Sequence, residues 1–170
     1  MNQTHIHLLI THLPIIGSLL GTLVLGYGIW KKSNTTETAA HYILIISALG
    51  AVIAYITGEG AEETVENIRG VSENIIEQHA DFAAYALTAL ISVGVASLIT
   101  IYLEFIKNSL AKSLALVTFF SAIISFALVA RTGYLGGQIR HTEISSSTTI
   151  QNGNEKNNEQ GEKQDDDDDD

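Results

Sequence analysis

Four stretches of this chain contain no Lys, Arg, Asp or Glu: Leu8 to Trp30, Tyr42 to Thr57, Phe82 to Leu103 and Ser113 to Ala130. A helix over the first would rise ~1.5 Å per residue to roughly 34 Å, enough to cross a hydrocarbon core of about 30 Å. The other three are long enough, or nearly so, once their interfacial flanks are included. A soluble four-helix bundle would need a polar face on every helix, yet Ala83 to Tyr102 offers only Ser, Thr, Gly and Tyr as polar relief. The pattern therefore predicts an all-α protein, a four-transmembrane-helix bundle with spans at about 8–30, 41–58, 80–106 and 112–132. Residues 1–144 form the membrane domain in this reading.

Composition narrows the chemistry. No cysteine occurs, so disulfides, iron–sulfur clusters, thiolate haem ligation and a cysteine nucleophile are excluded, and any bound metal must take His, carboxylate or tyrosinate ligands. There is no basic patch for nucleic acid and no phosphate-cradling loop between a strand and a helix. The N-terminus lacks a positive leader region and its first apolar segment is too long for a cleavable signal, so the first helix is expected to stay in the mature protein.

Charge between the spans sets a topology. Lys31 and Lys32 follow the first span, and Lys107 and Lys112 lie between the third and fourth. These are the positive residues expected on the cytoplasmic side. The opposite connection carries Glu59, Glu62, Glu63, Glu66, Glu73, Glu77 and Asp81 against Arg69. The expectation is a multi-pass protein of the bacterial inner membrane, both termini extracytoplasmic. Within the acidic connection, Ala61 to Ile68 has the composition of a short helix, Gly70 breaks it, and Val71-Ser72-Glu73 reads as the start of the third helix. Glu104 and Lys107 are spaced for a surface ion pair. His41, opening the second span after a polar loop, is expected at the hydrated interface. From 145 to 170, Ser, Thr, Asn, Gln and a final run of aspartates bury nothing. Nine acids against two lysines there carry about seven of the ten net negative charges, and the segment reads as a disordered tail.

The candidate site lies in the histidines. Under this topology His5, His7, His12, His79 and His141 fall on one side of the membrane. His12 sits about one turn inside the first span, where an ionisable side chain is costly unless neutral, paired or ligating. Pro14 follows, tolerated if it still lies in the first turn of a helix. His5 and His12 share a helix face, whereas His7 and His12, five apart, do not. His12 and His79 are thus candidates for opposed ligands of one centre. Two chemistries remain open. Two imidazoles from different helices can hold a haem b iron, with Arg131, Arg140 or Arg69 available to the propionates. Alternatively, His12 and His79 join Glu59, Glu62, Glu63 or Glu77 around a transition-metal ion. Gly17, Gly21 and Gly28 form a small-residue stripe for close helix packing on another face. Tyr55 and Tyr85 read as interface anchors. Gly136-Gly137 permits a sharp turn or a close backbone approach, with His141 thereby returned toward the outer surface.

The motifs His7-x4-His12-x-Pro14, Thr57-Gly58-Glu59-x-Ala61-Glu62-Glu63, Gly70-Val71-Ser72-Glu73 with Glu77-x-His79, and Leu135-Gly136-Gly137-Gln138-Ile139-Arg140-His141-x-Glu143 resemble a group of uncharacterised bacterial four-helix membrane proteins. More distantly, they resemble a broader predicted membrane domain of unknown function that opens with paired His and Pro and closes with a double glycine and His. The resemblance covers nearly the whole chain to Ile144. It implies the four-helix fold and singles out His7, His12, His79 and His141 as cofactor-binding candidates, without naming a reaction. The combined expectation is a membrane electron-transfer protein binding haem b or a transition metal. Its partners would be the lipid bilayer, other membrane redox subunits and a second copy of the chain in a homo-oligomer. The alternatives are a divalent-cation transporter or sensor component, or a structural subunit of a membrane complex.

Overall fold

A computed structural model describes the backbone of residues 3–66 and 73–161 and the side chains of 7–58 and 73–139. The described elements are all helices: α1 (Gln3–Ile10), α2 (His12–Lys31), α3 (Asn34–Glu66), α4 (Glu73–Phe105) and α5 (Leu110–Gly161). Four segments are long and apolar enough to cross a membrane, His7–Lys31, Asn34–Gly58, Glu73–Phe105 and Leu110–Ile139. Helices α1 and α2 together make the first span. They part at Thr11, three residues before Pro14, which lacks the N–H that would bond back to Ile10 and whose ring crowds that carbonyl. Pro14 thus occupies the first turn of α2, as its chemistry requires.

The bundle has a lysine end and a histidine end. At the lysine end both connections are tight. Lys32 and Lys107 adopt left-handed φ values of 53° and 54°. Ser33 N–H bonds Gly28 O at 3.0 Å and Asn108 N–H bonds Leu103 O at 2.9 Å, closing the helix ends through C-cap bonds. The next helices start on side chains: Ser33 Oγ accepts from Thr36 N–H, and Asn108 Oδ1 accepts from Leu110 N–H. Glu104 accepts a 2.8 Å hydrogen bond from Thr38 Oγ1 on α3. No ion pair to Lys107 occurs among the described residues, because the left-handed turn at Lys107 takes it off the α4 surface.

The polarity of the packing is that of a membrane protein. Ser47, Ser97, Thr100, Thr118 and Ser125 are fully buried, whereas Leu9, Leu23, Ile56, Leu98 and Ile124 stand more than half exposed. In a soluble bundle these roles would be reversed. Buried Thr hydroxyls donate to carbonyls one turn back, Thr100 to Ala96 O and Thr118 to Leu114 O, both at 2.8 Å. This satisfies them without water. The chain is a multi-pass helical membrane protein whose outward face contacts lipid. Trp30, Tyr27 and Tyr102 lie exposed near the lysine end and Tyr55, Tyr85 and Tyr134 near the other, at the depths where aromatic rings favour the interface.

Small residues set the helix spacing. A Cβ on Gly17 would lie 3.0 Å from Ser47 Cβ, one on Gly21 2.7 Å from Leu44 Cδ2, and one on Gly28 2.9 Å from the backbone N of Glu37. The expected glycine stripe is therefore the α2–α3 seam. Leu25, Ala40, Leu44, Val93 and Ala122 form one core cluster, and Ala48, Ala51, Ala86, Leu90 and Val129 another nearer the histidine end.

The structure departs from the sequence expectations at several positions. His41 is not interfacial: it is fully buried, its Nδ1 3.1 Å from Ser97 Oγ on α4, with no protein partner at Nε2. The reason is that the second span begins at Asn34, about two turns before the charge-free run, which draws His41 inside. The helix expected at Ala61 to Ile68 is a continuation of α3 to Glu66; Gly58 and Gly60 weaken a helix without stopping it. Gly136-Gly137 makes no turn, since α5 runs through it, and serves instead as a close approach, with His79 packed on Gly136. Gly70 and Ser72 lie outside the described residues. The tail expected over 145–170 falls where side chains are not described, with helical backbone to Gly161.

Candidate functional site

Where the helices reach the histidine end they enclose a cavity of about 400 Å³ lined by residues from all four spans, within the size range of small-molecule and cofactor sites. Two imidazoles face it, His7 from the first span and His79 from the third. The remaining wall is largely apolar and small, including Ala51, Ala54, Ala80, Ala83, Gly133 and Gly136, with Ile76 nearer the end of the bundle and Leu90 and Val129 deeper in. At the floor, Pro14 O accepts a 3.2 Å bond from Ser47 Oγ.

The two histidines are held by one repeated device. His7 Nδ1 lies 2.9 Å from Ala54 O on α3, with Thr57 Oγ1 at 3.3 Å. His79 Nδ1 lies 3.0 Å from Thr132 O on α5. A Cβ on Gly58 would come within 3.2 Å of His7 Cε1, and one on Gly136 within 3.1 Å of His79 Cε1. In each case the accepting carbonyl is four residues before the glycine. A helical Cβ leans toward the N-terminus over that preceding turn, so glycine at the fourth position uncovers the carbonyl for a second donor. A carbonyl only accepts, so each Nδ1 carries the proton and each Nε2 keeps its lone pair. This is how proteins orient imidazoles that ligate a metal.

The structure joins His7 to His79 and leaves His12 out. His12 is exposed on the surface of α2, its Nδ1 2.8 Å from Leu8 O. Five residues of helix turn it about 140° from His7, so only one of the two can face the cavity. The pair that shares one cavity is therefore His7 with His79, not the expected His12 with His79. Glu77 is exposed, two residues and nearly half a turn from His79. Arg131 is exposed at the same end, its guanidinium carbon 5.6 Å from the Phe82 ring centroid and 5.5 Å from that of Tyr134. The side chains of His5, Glu59, Glu62, Glu63, Arg69, Arg140 and His141 lie outside the described residues. Among the described residues no three His, Asp or Glu side chains converge as a metal cage. The two cradles share the spacing Ala54-x3-Gly58 and Thr132-x3-Gly136, but small-x3-Gly also recurs as Gly17-x3-Gly21, so the spacing alone does not mark the site.

Fold and site together define a multi-pass four-helix membrane protein with a dihistidine cavity at one end. No family model matches the chain, and no curated protein or solved structure does either.

Proposed function

We propose that this is a membrane haem b protein that carries electrons, in which His7 and His79 would hold the haem iron. The observation that carries the reading is the pair of imidazoles from different spans, each fixed through Nδ1–H to a backbone carbonyl, on one small-walled cavity. Two neutral imidazoles complete a haem iron, whereas a lone divalent ion needs further protein ligands. When bound, the haem supplies a one-electron couple inside the membrane. The protein's own part would be to orient the two imidazoles and to exclude water through alanines and leucines, with Arg131, exposed at the same end, the described cation nearest in sequence to the cavity wall. The lysines at the opposite end support the reading that the histidine end is extracytoplasmic, in a bacterial inner membrane. Other membrane redox subunits would be its partners.

Purification with haem available and absorption spectra of oxidised and reduced protein test this. His7→Ala and His79→Ala are each expected to lose the Soret band from folded protein, and His12→Ala to keep it. Retention in both cavity variants refutes the dihistidine site. Stoichiometric metal without a chromophore would instead favour a cation-handling protein using Glu59, Glu62 or Glu63, and neither would leave a structural subunit.

A further inference from the structure

The two histidines rest in matching cradles but ride on unlike carriers. His79 belongs to α4, which runs from Glu73 to Phe105 without a proline, and its acceptor Thr132 lies within α5. His7 belongs to α1, a helix of 8 residues that ends at Ile10. Just beyond it the helical ladder fails twice in succession. Pro14 has no N–H to give to Ile10 O. The next bond, from Ile15 N–H to Thr11 O, is 3.4 Å long, outside the usual range of about 2.7–3.2 Å.

Side chains finish α1 at this break. Leu8 O, in its last turn, accepts from Thr11 Oγ1 at 3.0 Å and from His12 Nδ1–H at 2.8 Å. His12, which has no place in the cavity, thus caps the helix that carries His7. Helix α1 packs on α3 and makes at most marginal contact with α4 and α5. On its cavity side it is fastened by His7, with Nδ1 2.9 Å from Ala54 O and 3.3 Å from Thr57 Oγ1.

A ligand seated between the two imidazoles must pass one of them. Moving His79 means shifting or unwinding a helix of 33 residues. Moving His7 means releasing Ala54 O and changing the angle at a point where the ladder is already interrupted. We propose that α1 is a hinged gate: it swings at Thr11 to Pro14, carries His7 off Ala54 O and opens the cavity for its ligand to enter or leave, while His79 stays fixed. The proposal rests on the reading of the cavity as a ligand site and not on which ligand fills it. Closure returns His7 Nδ1–H to Ala54 O, where Gly58 leaves room for the ring.

The chain has no cysteine, so a single introduced one reports access to the cavity. Ala86, on α4, lines the cavity and is 6% exposed. In full-length Ala86→Cys protein in lipid nanodiscs, without haem, the rate of reaction with a small methanethiosulfonate reagent measures opening. His7→Ala in this background releases the latch and is expected to raise the rate about fivefold, the factor that one net hydrogen bond is worth. His79→Ala removes the same ring from the same cavity but leaves α1 fastened, and is expected to change the rate by less than about twofold. Pro14→Ala restores an N–H for Ile10 O and is expected to slow labelling about fivefold. Equal rates in the two histidine variants overturn the proposal, because a gap in the wall, not a moving helix, would then admit the reagent. A folded Pro14→Ala protein labelled as fast as the parent overturns it as well, and if that variant does not fold the histidine pair decides. Absence of a Soret band after haem is supplied defeats the haem reading alone, since these rates are read without it.

Discussion

Gly136 and Gly137 are adjacent on one helix and differ in what a methyl group would meet, which makes them a clean test of the histidine cradle. Alanine at either position gains helix propensity of about 1 kcal/mol over glycine. At Gly137 the methyl would meet nothing within 4 Å among the described residues, so Gly137→Ala is expected to stabilise the protein by up to about 1 kcal/mol. At Gly136 it would sit 3.1 Å from His79 Cε1 and 3.5 Å from Nδ1, closer than two carbons rest comfortably. The ring cannot simply retreat, because its Nδ1–H is held at 3.0 Å by Thr132 O. Overpacking of this kind costs roughly 1–3 kcal/mol. Set against the propensity gain, Gly136→Ala should be neutral to about 2 kcal/mol destabilising, and should fall below Gly137→Ala by about 1–3 kcal/mol. Gly58→Ala, whose methyl would lie 3.2 Å from His7 Cε1, should behave like Gly136→Ala. Unfolding of the three variants in mixed micelles, referred to the parent protein, gives these differences. Equal stability of Gly136→Ala and Gly137→Ala would refute the cradle, since it would mean that His79 does not rest on the glycine.

The buried histidine at the lysine end makes a second prediction: His41→Ala should cost roughly 2–5 kcal/mol by leaving a cavity, whereas His41→Leu should stay within about 1 kcal/mol of the parent because it fills the volume and removes an unpaired nitrogen. A leucine variant as damaged as the alanine one would show that Nε2 is hydrogen-bonded. For topology, single cysteines at Asn34 and Asn67 should react oppositely with a membrane-impermeant thiol reagent in intact cells, Asn67 labelled and Asn34 protected; the reverse pattern inverts the orientation.

The sequence by itself determined the number of spans, their approximate ends and the lysine and histidine ends of the bundle. Those features follow from local quantities, the length of a charge-free run against the bilayer and the charge of short loops. It also narrowed the site to a few histidines, because a chain without cysteine has few other ligands. It did not determine which histidines meet. A soluble helix advertises its inward face through a polar outward one, but a helix in lipid is apolar all round and carries little such signal. His7 and His12 are both polar groups near one helix end. Which of them turns inward is decided by the break before Pro14 and by the α2–α3 seam, where glycines fix the rotation of the first span against Ser47 and Leu44. His41 read as a surface residue for the same reason, since its burial comes from the neighbouring helices and Ser97 opposite it. The cradle itself is wholly tertiary. Ala54 and Thr132 contribute only backbone oxygens, and Gly58 and Gly136 contribute the space that lets an imidazole from another helix reach them.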